Sequence, residues 1–232
     1  MPGKTRPLIG DRAKRFFDII VSGIVLVLLA PVLLWIALVV KVCSPGPLLY
    51  RGVRVGLDCK LFAMLKFRTM VVNAESLGGS ATTADDQRLT NIGKLLRRYK
   101  LDELPQLLNV LAGDMSLVGP RPEVQKYVRL YSPEEKAILA VRPGITDWAS
   151  IWNSNEAAVL EGSRDPEKSY EELIRPTKLT LQLLYVRNRS FLMDLKIIFH
   201  TCLKLINEDW VPKELKPYGR VKRYRMTSPA SV

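Results

Sequence analysis

The strongest pattern in this 232-residue chain is an uncharged run from Ile19 to Val40, IIVSGIVLVLLAPVLLWIALVV. A run of that length predicts a membrane-inserted helix. A secretory signal peptide fits less well, because the run is too long and no small-x-small cleavage site follows it. A core helix apolar on every face is hard for a domain of this size to cover. Pro31 falls just past the middle and cannot donate a backbone hydrogen bond, so a kink or break is expected there. Each arm would then measure roughly 16–18 Å, against a hydrocarbon core of about 30 Å. Both flanks are basic, with Arg12, Lys14 and Arg15 before the run and Lys41, Arg51 and Arg54 after it. A spanning helix should leave its positive excess on one side. Two geometries stay open: a helix that dips in, turns at Ala30–Pro31 and returns to the cytoplasmic face, or a kinked span. Carbonyls freed at the break would need partners, for example the Ser22 hydroxyl.

Beyond the run the periods are shorter. Ser44-Pro45-Gly46-Pro47 stops the helix. Residues 48–70 alternate in short β-favouring pieces around Gly52, Gly56 and Asp58, which predicts a hairpin. Residues 71–76 read as helical and 78–86 as a polar loop. Thr90 is a cap for a helix reaching about Lys100. Pro105 is tolerated in a first helical turn, so a helix is expected from near Asp102 to Gly113. Ser132-Pro133-Glu134-Glu135 reads as a helix start and Arg142-Pro143-Gly144 as a turn. Segments 178–187 and 190–206 read as two helices. In the second, Phe191, Leu195, Ile198, Cys202, Leu205 and Ile206 recur at helical spacing, as in a core-facing helix or one lying in a membrane interface.

Composition narrows the chemistry. With 47% hydrophobic and 25% charged residues the chain is globular. Three cysteines without metal-like spacing argue against a disulfide scaffold or a cysteine zinc site. The single histidine, His200, reads as a packed residue and removes most histidine-dependent mechanisms. The net charge of +12 is concentrated at the two ends, around a nearly neutral middle. Such ends suit an anionic surface, and the neutral middle speaks against a nucleic-acid binder.

One constellation suggests a reaction. Asp102 and Glu103 stand at an expected helix start, where capping alone would explain them. Around them are Lys66, Arg68, Arg97, Arg98, Arg121 and Arg142, with Arg121 stiffened between Pro120 and Pro122. Carboxylates beside arginines can serve phosphoryl transfer: guanidinium groups hold phosphate oxygens, and Mg²⁺ usually helps neutralise a diphosphate. An aspartate can then attack phosphorus. Neither a P-loop nor a GxGxxG motif is present.

The stretches KRFFDIIVSGIVLVLLAPVLL (14–34), LFAMLKFRTM, IGKLLRRYKLDELPQLLNVLAGDMSLVGPRPE and VRPGITDWASI resemble the bacterial sugar transferases. These are the monotopic phosphoglycosyl transferases that begin polysaccharide and glycoconjugate assembly. The similarity runs from about Arg12 to Asn207, and the chain looks like the minimal catalytic unit. It implies transfer of a sugar 1-phosphate from a UDP-sugar to polyprenyl (undecaprenyl) phosphate on the cytoplasmic face of the bacterial inner membrane. UMP would be released, by a ping-pong route through an aspartyl-phosphosugar, with Mg²⁺ as cofactor. By position, Asp102 would be the nucleophile and Glu103 the Mg²⁺ ligand and partner acid. Arg97 and Arg121 would hold phosphate oxygens, with Lys66, Arg68 and Arg142 also lining the anionic site. The resemblance favours re-entry, with the break at Ala30 and Pro31.

The implied fold is α+β, predominantly α. A re-entrant membrane helix kinked at Pro31, a short β-hairpin and interfacial amphipathic helices would surround a small soluble domain. The division would be 1–43 membrane segment, 44–210 catalytic domain and 211–232 basic tail. Two departures stand out. Many members read Ser-Pro at the break, where this chain has Ala30-Pro31. Many read GITGWAQVNG, where this chain has Asp147 and then Ser150-Ile151-Trp152-Asn153. If that loop meets the sugar or uridine, the preferred sugar differs. The competing reading is a non-catalytic membrane-anchored scaffold whose basic tails bind lipid.

Overall fold

The computed structural model describes residues 9–79 and 81–219. Helix α1 (Ile9–Cys43) is one continuous helical segment with Pro31 inside it. By length and composition it could cross a membrane. Its apolar side chains are largely uncovered, as at Val27, Leu28, Leu34 and Trp35. The body touches it near its two ends. Asp18 and Ser22 are buried on the first part and Ile36 and Val40 on the second, each pair one turn apart, while nothing between Gly23 and Trp35 is buried. Ser22 does not serve the proline break, because its Oγ is buried without a hydrogen bond.

The expected hairpin is present: β1 (Leu49–Val55) pairs antiparallel with β2 (Leu61–Phe67), Leu49 facing Phe67 and Val55 facing Leu61. Thr90 caps α2 (Asn91–Arg98), its side chain accepting from the Gly93 N–H. Instead of one helix from Asp102, a 3₁₀ turn (Leu101–Glu103) precedes α3 (Gln106–Ala112), with Pro105 as the capping residue. Gly113 closes α3 at φ +97°, a left-handed position suited to glycine.

The second sheet was not expected. Strands β3 (Ser116–Val118) and β4 (Gly144–Thr146) pair in parallel, and Gly144 begins a strand where the sequence suggested a turn. A Cβ at Gly144 would lie 2.1 Å from the Gly119 nitrogen, so glycine permits the approach. Short helices follow: α4 (Gln125–Val128), α5 (Trp148–Trp152), α6 (Glu156–Val159) and α7 (Pro166–Ser169). The long pair α8 (Arg175–Asn188) and α9 (Phe191–Ile206) closes the body. Val118, Trp148, Leu181, Tyr185, Ile197 and Leu215 form its main core. Leu215 belongs to the segment expected as a tail, so residues 211–219 pack on the body, and Trp152 donates to the Gly219 carbonyl. The remaining basic residues, from Arg220 onward, lie outside the described residues, as do residues 1–8.

Polar groups join α1 to this core. Lys14 pairs with Asp194 at 2.7 Å, and the Tyr185 hydroxyl donates to the same carboxylate at 2.7 Å. The Ser116 hydroxyl donates to Asp18 at 2.8 Å. His200 is packed as expected, stacked on Trp210 and accepting its indole N–H at 3.2 Å.

Candidate active site

Two separate elements converge on Glu103, which sits on a third. Lys66, near the end of β2, donates from Nζ to Glu103 Oε1 at 2.8 Å. Arg121, in the turn after β3, bonds the same oxygen through its guanidinium. Glu103 itself sits on the 3₁₀ turn, entered through Lys100 in a left-handed conformation (φ +58°). Asn109 fixes α3 against β2: its amide donates to the Ala63 carbonyl at 2.8 Å, and its Oδ1 accepts the Leu65 N–H at 2.9 Å. These two hydrogen bonds tie α3 to the strand that carries Lys66.

The two acids are poised oppositely. Burial alone would raise the Glu103 carboxyl, but the charges of Arg121 and Lys66 hold it well below the usual carboxylate range. Asp102 is 3% exposed, and its Oδ1 has no hydrogen-bond partner. Burial therefore pushes its carboxyl up, with Lys66 opposing. Burial also lowers the Lys66 ammonium. Arg97, on the last turn of α2, anchors through Nε to Thr69 Oγ1 at 2.9 Å, and its charge favours ionised Asp102. Lys66, Arg97, Glu103 and Arg121 line one broad open cleft whose wall includes Val21 and Val25 of α1.

Two of the expected arginines have other work. Arg68 also borders the cleft, but its guanidinium donates to the Ser44 and Pro45 carbonyls, tying the hairpin to the linker after α1. Arg142 is not brought to the acids. It donates to the Gly113 carbonyl at 3.1 Å, at the opposite end of α3, where Arg15 also binds the Val110 and Leu111 carbonyls. Exposed carbonyls at a helix C-terminus attract cations, and that placement overrides the expectation. The sequence reading missed a second cluster on the cleft. The Tyr170 hydroxyl donates to Glu123 at 2.6 Å, and Lys178 bonds both groups. Only the Glu123 of Pro-Arg-Pro-Glu hinted at it; Lys178 and Tyr170 are remote in sequence.

The chain matches the family model of the bacterial sugar transferases over residues 9–208. It belongs to that family. Three relatives illustrate its range. One is the UDP-glucose:undecaprenyl-phosphate glucose-1-phosphate transferase of Escherichia coli (strain K12), 39% identical over 194 residues, covering 82% of this chain and 39% of the relative. An uncharacterized sugar transferase, EpsL, of Bacillus subtilis (strain 168) is 39% identical over 219 residues, covering 94% of this chain and 98% of the relative. The UDP-N-acetylgalactosamine-undecaprenyl-phosphate N-acetylgalactosaminephosphotransferase of Aeromonas hydrophila is 36% identical over 191 residues, covering 81% and 42%. The chain thus spans about two-fifths of the length of the Escherichia and Aeromonas proteins.

The residues present fit a magnesium ion. Mg²⁺ is held by one or two carboxylates together with substrate phosphates rather than by an all-protein cage. Among the described residues no cluster of three or more acidic, cysteine or histidine side chains occurs. Glu103 Oε2, free of hydrogen bonds among the described residues, and the under-partnered Asp102 carboxylate are the adjacent donors.

Proposed function

We propose that this sugar transferase moves a sugar 1-phosphate from a UDP-sugar to polyprenyl phosphate at the cytoplasmic membrane face, releasing UMP. The observation that carries the reading is the pairing of a buried, under-partnered Asp102 with a Glu103 already held by Lys66 and Arg121. The ionised Asp102 carboxylate attacks the sugar-bearing phosphorus. The phosphorus–oxygen bond to UMP breaks, and the sugar phosphate stays on the carboxylate. An oxygen of polyprenyl phosphate then attacks that phosphorus, the acyl phosphate bond breaks, and Asp102 is restored. Arg121 and Arg97 hold phosphate oxygens, and Lys66 offsets charge beside both acids. Glu103 and Asp102 would hold Mg²⁺, which when bound neutralises diphosphate charge. The printed names of the relatives include UDP-glucose and UDP-N-acetylgalactosamine, so family membership leaves the sugar to experiment.

The α1 contacts support re-entry. A helix that crosses a bilayer has its ends on opposite faces, about 30 Å apart. Here one body buries residues near both ends, Asp18 and Ser22 at one and Ile36 and Val40 at the other. The uncovered middle holds Ala30 and Pro31 and is the part left to enter lipid. A lipid-borne phosphate would then reach the cleft at head-group depth.

The test is UMP release from a panel of UDP-sugars with polyprenyl phosphate and Mg²⁺. Wild type should respond to at least one donor, and chelator should abolish release. Asp102→Asn should lose at least about 10³-fold, as expected when a nucleophile is removed. Absence of release with every donor tried, from folded and lipid-bound protein, would favour the scaffold reading instead.

A further inference from the structure

Arg121 reaches Glu103 from a turn whose neighbours, Pro120 and Pro122, have no N–H to pair. Its own backbone is nonetheless held on both sides. The Arg121 N–H donates to Asp147 Oδ2 at 3.1 Å, and its carbonyl accepts from Gln182 Nε2 at 3.2 Å. Gln182 Nε2 also donates to Asp147 Oδ2 at 3.1 Å, closing a ring of contacts around that one residue. Asp147 and Gln182 are both fully buried, at 0% exposure. We propose that Asp147 and Gln182 are positioning residues that lock the Arg121 backbone, so that its guanidinium meets Glu103 and a substrate phosphate at a fixed angle.

Capping does not account for this carboxylate. Asp147 does cap α5, but through Oδ1, which accepts from the Ser150 N–H at 2.6 Å and its hydroxyl at 2.7 Å. A serine or asparagine would cap a five-residue helix as well. The second oxygen goes wholly to Arg121 and Gln182. The Gln182 amide is turned so that Nε2 meets two acceptors, at the cost of leaving its own Oε1 without a partner. Asp147 is also the position at which this chain leaves the common GITGW pattern. Asp147 itself is buried and turned to Arg121, whereas Ser150, Trp152 and Asn153 of the same departure border the cleft.

The inference rests on the proposed reaction, and its test separates the two. Asp147→Asn keeps an oxygen for the α5 cap but turns an NH₂ group toward the Arg121 N–H. Asp147→Ser keeps a capping oxygen and deletes the grip. Hydrogen exchange is read on the Gly119–Glu123 segment, in which the two prolines leave Arg121 as an isolated amide. Both variants should speed its exchange by at least about tenfold while α5 stays protected. Both should lower kcat for UMP release by about tenfold or more, as displaced catalytic groups do. In an Arg121→Lys background the kcat loss should largely vanish. Unchanged exchange, or an equal kcat loss in that background, would overturn the proposal. If wild type releases no UMP from any donor, the reaction assignment falls, and the exchange measurement still decides the grip.

Discussion

Glu103 accepts two cations through one oxygen while the preceding residue, Asp102, keeps an oxygen with no partner at all. This asymmetry has opposite consequences for rate and stability. Asp102 attacks in its ionised form, and burial raises its carboxyl above 3.8, so turnover should show an acidic limb displaced upward from an ordinary aspartate. Lys66 opposes that shift, so Lys66→Met should move the limb to higher pH, read from kcat/KM against pH. Linkage fixes the sign for stability. A raised group stabilises below its unfolded value and loses that contribution as pH rises through its folded value. Near neutral pH the Asp102 charge is therefore a cost, and Asp102→Asn should raise stability by about 1 kcal/mol while abolishing turnover. Glu103 is lowered, so its contribution is present above its unfolded value and is lost as pH falls through its folded value. Glu103→Gln leaves two partly buried cations unpaired and should cost about 3 kcal/mol, read in denaturant at neutral pH.

At the scale of elements, the hairpin, the cap at Thr90 and the helices in 178–187 and 190–206 were legible because alternation, capping residues and helical spacing are local signals. The parallel β3–β4 pair was not. Three-residue strands carry no alternation, and their pairing depends on a close approach at Gly119 and Gly144. Glu103 and four of the five expected basic residues border one cleft, and the buried Asp102 precedes Glu103 on the same 3₁₀ turn. Arg142 went elsewhere because sequence cannot say which end of α3 a remote cation will meet. Asn109 likewise looked like one more helical residue, although it is the bolt between α3 and β2. Asn109→Leu should cost about 2–3 kcal/mol by stranding the Leu65 N–H and the Ala63 carbonyl. Because that bolt holds α3 to the strand that carries Lys66, turnover should fall in protein that remains folded.

Across the whole molecule, the long apolar run was plain in the sequence, but its manner of docking was not. Hydropathy records how apolar α1 is and says nothing of which body residues meet its ends. The polar ties at Lys14, Asp18, Asp194 and Ser116 hold its first part, and Ile36 and Val40 pack its second. The re-entrant account therefore predicts that tags at the two chain ends are protected together in sealed inner-membrane vesicles of right-side-out orientation. Cleavage of one tag alone by external protease would show a span. The central claim is tested most directly by intact mass of the membrane-bound chain incubated with Mg²⁺ and its UDP-sugar, without polyprenyl phosphate. The account predicts a gain of one sugar phosphate matched by one equivalent of UMP, lost on adding polyprenyl phosphate and absent in Asp102→Asn. UMP formed only when polyprenyl phosphate is present, with no mass gain at any time, would contradict it.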